Sequence, residues 1–265
     1  MSATILIPAR FESSRYPGKP LAELKGCTGV AKPLIQRSVE AARRVAGVDG
    51  VFVVTDDNRI AECCAGLGVG VLMTSPQCRN GTERCAEALS QLHETDLVIN
   101  FQGDALLTPP GFVEALIARM GDDRNALVAT PAMQLRSEEV RALQAEEAAG
   151  RVGGTSVVMD GAGHALYFSK RLLPYLPAGG LAGKMAPAHL HVGVYAYRAQ
   201  ALERYVAAPV SELEQLEGLE QLRFLVEGVK IAVVEVATPP FALRELNNPE
   251  DIAPIEAALA EAGLE

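Results

Sequence analysis

The chain opens on a short apolar run, residues 4–9, closed by Pro8 and Ala9. It is too brief for a helix and continuous enough for a buried strand. Comparable runs recur at 51–56 (VFVVTD), 69–74 (VGVLMT) and 96–104 (DLVINFQGD). Between them the apolar positions take up a helical period. Leu34, Ile35, Val39, Ala42 and Val45 fall near one face of a helix predicted over 32–46. Further helices are predicted over 58–67, stopped by Gly68, over 82–93 and over 109–120. Strands alternating with helices predict an α/β fold with a mostly parallel sheet and helices on both faces.

The second half is less regular. Strands are predicted at 126–135, 191–198 and 230–237, and a hairpin over 155–170 turning at Gly161 to Gly163. A Glu- and Leu-rich helix is predicted over 213–227. Its Leu213, Leu216, Leu219 and Leu222 form a three-residue-spaced seam open to packing inside the subunit or against a second copy. Asn248, Pro249 and Asp251 supply an N-cap, a proline at N1 and an acid at N3 for a last helix running to about Ala262. Residues 177–189, rich in Gly, Ala and Pro, are expected to form a mobile loop.

Composition narrows the function. Nearly half the residues are hydrophobic but Trp is absent, so aliphatic side chains must fill the core. A net charge of −9 argues against a nucleic-acid partner, which would call for a basic face. The five cysteines are odd in number and show no C-x-x-C spacing, which predicts reduced, buried thiols rather than disulfides or zinc. No stretch reaches the ~18 apolar residues of a membrane span. Residues 1–9 do not read as a signal peptide, and the expected location is cytoplasmic.

Against this acidic background, the loop after the first strand is cationic. Arg10, Arg15 and Lys19 lie within ten residues, stiffened by Pro17 and Pro20, with Gly18 free to let backbone approach a ligand. Three cations beyond the carboxyl end of a parallel strand fit a polyphosphate, with Arg forking onto phosphate oxygens and Lys acting as a point charge. The spacing is neither G-x-x-x-x-G-K-[ST] nor G-x-G-x-x-G. Two other polar clusters end strands, TDD at 55–57 and QGD at 102–104. Each feature has a bland counterpart: a solvated basic turn, Asp104 as a turn residue after Gly103, His191 as a satisfied half-buried histidine, Tyr195 as sheet packing, Glu83 as a helix-capping charge. Glu217 and Gln221, at i and i+4, share a helix face that is solvated, functional or subunit-facing.

IPARFESSRYPGKPL together with NGTERCAEAL (80–89), VINFQGD (98–104), HVGVYAYR (191–198), LEQLEGLEQLRFL (213–225) and NNPEDI (247–252) resembles, in order, the CMP-Kdo synthetases, the 3-deoxy-manno-octulosonate cytidylyltransferases. The resemblance spans almost the whole chain. It implies one nucleotide-diphospho-sugar-transferase-like domain over 1–265, with a nucleotide-binding half (1–125), an acceptor-binding and dimerisation part with a smaller mixed sheet (126–230), and a returning strand and helix (231–265). It implies transfer of CMP from CTP to a small acidic acceptor, release of pyrophosphate, Mg²⁺ as cofactor and a homodimer. By the same resemblance, Arg10, Arg15 and Lys19 hold the triphosphate. Pro8, Ala9, Gly18, Gly81 and Thr82 contribute to the nucleotide site, and Gln102, His191, Tyr195, Glu217 and Gln221 line the acceptor pocket. Asp104 and Asn247 face the metal.

Departures from the family pattern gather on the acceptor side. Ala105 and Leu106 replace the usual Glu-Pro after Asp104, Asn247 stands where the family has Asp, and Leu190 where it has Arg. Gly153 to Ser156 replace a segment that carries Asn and Lys. An amide oxygen can ligate Mg²⁺ but adds no charge. Relatives of this family cytidylylate small phosphonates such as phosphonoformate in phosphonate biosynthesis, so both a phosphonate and a Kdo-like acid are expected acceptors, the phosphonate slightly ahead. A catalytically silent CTP sensor is the non-enzymatic alternative. A UTP- or GTP-dependent sugar nucleotidyltransferase is disfavoured by the missing glycine-rich loop.

Overall fold

The computed structural model describes residues 1–13, 15–92, 95–177 and 183–265. The first part runs β1 (Ala3–Pro8), a two-stranded ribbon of β2 (Glu23–Lys25) and β3 (Ala31–Pro33), α1 (Leu34–Ala42), β4 (Gly50–Thr55), α2 (Asn58–Gly66), β5 (Gly70–Met73), α3 (Gly81–Ala88), β6 (Leu97–Phe101) and α4 (Pro110–Asp122). The rest runs β7 (Val128–Arg136), α5 (Ser137–Ala148), β8 (Ser156–Met159), β9 (Ala165–Ser169), β10 (Met185–His191), β11 (Val194–Tyr197), α6 (Ala199–Ala207), α7 (Glu212–Glu217), α8 (Leu222–Val226), β12 (Ile231–Val236) and α9 (Ile252–Glu261).

Strands β5, β4, β1 and β6 lie side by side and parallel, as the alternating pattern predicts. The side-chain alternation of β1 serves two layers. Ile5 and Ile7 pack with Ile35, Val39, Ile60, Val113 and Leu116 on one face, while Leu6 packs with Cys85, Tyr197, Leu202 and Leu222 on the other. Antiparallel β11 borders β6, and β7 then pairs with both β11 and β10 along one edge and with parallel β12 along the other. Strands β8 and β9 continue from β10, and a bridge between His164 and Ala232 brings the start of β9 to β12, so this end of the sheet curls into a nearly closed ring.

Chain order sets the position of the site. From β1 the chain moves outward through β4 and β5, then returns to lay β6 on the other side of β1. The crevice at the carboxyl ends of β1 and β6 is therefore a switch point, where α/β sheets bind ligands. Gly103, just past β6, lies so close to β1 that a Cβ there would sit 2.6 Å from the Pro8 carbonyl oxygen.

Several expectations are corrected. Helix α1 starts at Leu34, because Lys32 and Pro33 belong to β3. Within the helix expected over 82–93, α3 ends at Ala88 in a 3-10 turn over Leu89–Gln91, and His93 lies outside the described residues. The helix expected over 213–227 is two helices, since Gly218 adopts φ 61° and closes α7 with a left-handed cap. The leucine seam divides with it: Leu213 and Leu216 are exposed, while Leu219 and Leu222 are buried. Of the expected loop at 177–189, residues 178–182 lie outside the described residues and 185–189 are strand β10. His191 ends that strand rather than beginning the next. Residues 137–148 form a helix that apolar spacing does not announce, because Val140 and Leu143 alone carry its inward face. Cys64 and Cys85 are buried free thiols as expected, but Cys27 is exposed. Among the described residues no helix is long and apolar enough to cross a membrane.

Candidate active site

The opening loop is built around Phe11. The Gly18 N–H donates to the Phe11 carbonyl at 2.9 Å, and Gly18 takes φ 73°, the left-handed conformation that disfavours side chains. The Arg59 guanidinium covers the outer ring face 3.2 Å from its centroid. A 3-10 turn over Lys19–Leu21 then carries Lys19 back toward the sheet, where its Nζ meets Asp104 Oδ2 at 2.6 Å. Arg15 reaches the C-terminal segment and donates to Asn247 Oδ1 at 3.1 Å. The loop, the end of β6 and residue 247 thus converge, although more than 230 positions separate Arg15 from Asn247.

Two adjoining cavities open there. The smaller, about 180 Å³, is walled by Pro8, Ala9, Arg10, Arg15, Lys19 and Arg84, with Gly81 and Asp104 at its mouth. The larger, about 790 Å³, shares Arg10, Arg15, Arg79, Gly81, Gln102 and Asp104, and extends over His191, Tyr195 and Gln221 to Lys170 and Arg244. Among the described residues, five cations face the smaller cavity against one carboxylate, a strong local reversal of the net −9 charge of the chain.

The predicted residues divide on inspection. Pro8, Ala9, Arg10, Arg15, Lys19, Gly81, Gln102, Asp104, His191, Tyr195, Gln221 and Asn247 all line one or both cavities. Gly18 shapes the loop without lining either. Thr82 lies beneath the floor, fully buried, with its hydroxyl 2.9 Å from the Tyr197 phenol oxygen. Glu217 turns to β9, accepting from Ser169 Oγ at 2.7 Å and the Lys170 N–H at 2.9 Å. The TDD cluster is structural: Asp56 pairs with Arg84 at 3.1 Å, and Asp57 caps α2 through the Arg59 N–H. Glu83 joins Arg79 at 2.6 Å to the buried Arg223 at 3.1 Å, and Arg223 grips Glu214 at 2.6 Å.

Sequence reasoning missed Glu220, Glu245, Arg79, Lys170 and Arg244. Glu220 accepts from the Thr82 N–H at 3.1 Å and Gln102 Nε2 at 3.2 Å, and burial pushes its carboxyl up. The signal was Gly218: breaking the helix there turns residue 220, rather than 217, toward the cavity. Glu245 faces the open cavity yet is ringed by protein, and its carboxyl is pushed up to about 7, first by the Asp104 charge and then by desolvation. Of the departures from the family pattern, Gly153, Gly154 and Leu190 line the larger cavity and, with Met133 paired to Leu190, give part of its wall a neutral surface.

The family model described as Cytidylyltransferase matches residues 4–231. A 3-deoxy-manno-octulosonate cytidylyltransferase of Maricaulis maris is 40% identical, covering 99% of each chain. An 8-amino-3,8-dideoxy-manno-octulosonate cytidylyltransferase of Shewanella sp. (strain ANA-3) is 39% identical over 98% of this chain and 99% of that one. The solved structure of a CMP:2-keto-3-deoxy-manno-octonic acid synthetase complexed with CTP superposes with a TM-score of 0.84 at 36% identity, covering 99% of this chain and all of the other. The switch-point crevice, the cationic loop paired with Asp104 and these full-length likenesses lead to one conclusion: the chain belongs to the cytidylyltransferase family that contains the CMP-Kdo synthetases.

Proposed function

We propose that the protein transfers CMP from CTP to a 2-keto sugar acid of the 3-deoxy-manno-octulosonate type and releases pyrophosphate. The observation that carries this reading is the convergence of Arg10, Arg15 and Lys19 on Asp104 at the mouth joining a small cationic cavity to a large mixed one. The small cavity suits the triphosphate. The large one, at about 790 Å³, lies in the upper part of the ~300–1,000 Å³ range of small-molecule sites and favours an eight-carbon acid over a compact phosphonate. The relatives' names point the same way.

In this reading an acceptor oxygen attacks the α-phosphorus, the bond to the bridging oxygen breaks, and pyrophosphate leaves with the electron pair. The chain contributes mainly position and charge. Arg10 and Arg15 neutralise the departing pyrophosphate. Gly81 leaves room for the Gln102 side chain, whose Nε2 lies 3.0 Å from where a Cβ would stand, while Gln102 and Glu220, bonded to each other, border the acceptor. Asp104, the Asn247 amide oxygen and Glu245, whose carboxyl the Asp104 charge pushes up, line the same cavity and are the residues that would hold a divalent cation. Mg²⁺ held there would supply positive charge to the phosphate oxygens.

The neutral wall of Met133, Gly153, Gly154 and Leu190 supports a second reading, a phosphonate acceptor needing fewer contacts. We also propose a homodimer, since Leu166 on β9 and Leu213 and Leu216 on the adjacent α7 are exposed, and a cytoplasmic location. Pyrophosphate release with CTP and Mg²⁺ is expected with 3-deoxy-manno-octulosonate or its 8-amino analogue. Turnover with phosphonoformate alone would reverse the ordering. CTP binding without turnover for any acid would leave a sensor, and preference for UTP or GTP would remove the reading altogether.

A further inference from the structure

We propose that Thr130 is a positioning residue that locks His191 as the neutral Nε2–H tautomer, so that the ring presents its Nδ1 lone pair to a hydroxyl of the acceptor. The inference rests on the proposed sugar-acid acceptor for its last step and on geometry for the rest. Thr130, on β7, is completely buried. Its Oγ1 lies 2.8 Å from the Val194 carbonyl oxygen, 3.3 Å from the Val192 carbonyl oxygen and 2.8 Å from His191 Nε2. A hydroxyl has one proton, and a carbonyl oxygen can only accept. At 2.8 Å the Thr130 proton therefore goes to Val194, and the Thr130 oxygen is left to accept. His191 Nε2 must then carry hydrogen, and in a neutral imidazole that leaves Nδ1 bare.

The ring is held in this orientation from its sides. Phe168 meets it edge-on with centroids 5.1 Å apart, and Tyr195 lies against it at 5.4 Å. Burial pushes its pKa down to about 3, so the ring is neutral at working pH. Nδ1 has no protein partner among the described residues and is not a sealed orphan, unlike the Nδ1 of His164, because His191 borders the large cavity. An unpartnered acceptor atom beside Tyr195 is a place for a hydroxyl. A neutral acceptor cannot pair with the substrate's carboxylate, which must find its cation elsewhere on the wall.

Long-range ¹H–¹⁵N correlation spectra of histidine-labelled protein read the tautomer directly, with the His191 signals assigned by their loss in His191→Gln. The expected pattern is a single Nε2–H tautomer at pH 7 without any ligand. Thr130→Val removes the hydroxyl at equal volume. It should bring in the Nδ1–H form and raise the KM for 3-deoxy-manno-octulosonate about 10-fold, the worth of one hydrogen bond, with the CTP Kd unchanged. Thr130→Ser should restore both. An Nδ1–H or protonated ring in the wild type would overturn the proposal, as would a Thr130→Val protein with unaltered tautomer and KM. If the valine variant does not fold, the wild-type spectrum and the serine variant decide. Failure of every sugar acid as substrate would instead strike the functional reading, which the ligand-free spectrum does not depend on.

Discussion

Gly103→Ala would place a methyl carbon 2.6 Å from the Pro8 carbonyl oxygen, with Ala9 Cβ at 3.9 Å beyond it. Both sides of this contact are backbone. Pro8 is fixed in the β1–β4 ladder, and the Ala9 N–H is bonded to Val54 at 3.0 Å. Relief to an ordinary contact needs roughly 0.8 Å of separation between the ends of β1 and β6. Those ends carry the two halves of the site, the Arg10 loop and Asp104, so the shift falls directly on their spacing. Overpacking of this kind costs about 1–3 kcal/mol of stability. A misplacement near 1 Å costs on the order of 100-fold in rate. The expected result is a folded protein, slightly less stable to urea, whose kcat/KM in a pyrophosphate-release assay falls roughly 10- to 100-fold. Gly111→Ala is the control: nothing lies within 4 Å of its Cβ, and it sits in the first turn of α4. Turnover of Gly103→Ala within threefold of wild type would show that the two strand ends are not held in register by this contact.

Other outcomes follow from the same structure. Arg223→Met leaves Glu214 and Glu83 buried without their shared cation, and should cost about 3–5 kcal/mol in urea unfolding, part of it recovered by adding Glu214→Gln. His191 stays neutral in the folded chain down to about pH 3 but takes up a proton near 6.5 when unfolded, so its contribution is present above 6.5 and is lost as pH falls toward 3. Between pH 7 and 5 the wild type should lose about 2 kcal/mol more than His191→Gln, and equal slopes would refute the assignment. Asn247→Asp should lower the Mg²⁺ concentration needed for half-maximal activity, and an unchanged titration would place residue 247 away from the metal.

The first half of the fold was open to inspection in the sequence because parallel strands buried on both faces read as unbroken apolar runs. The cationic loop was legible for the same reason: its position relative to a strand end can be read locally. What was hidden depended on long-range convergence. Glu245, Lys170 and Arg244 are unremarked charges until the segments after β9 and β12 come together around one cavity. Glu217 was preferred to Glu220 because helical phase was carried through Gly218, although a glycine inside a Leu- and Glu-rich stretch marks the place where phase is lost.

The 2.6 Å contact between Lys19 and Asp104 has a consequence for the order of events. At rest, part of the loop's positive potential is cancelled by its own neighbour, so a nucleotide arriving alone competes with an internal anion. A divalent ion settling on Asp104 would release the lysine for the phosphates, and the phosphates would in turn hold the ion. Each ligand should therefore bind more tightly in the presence of the other, by the same factor whichever comes first.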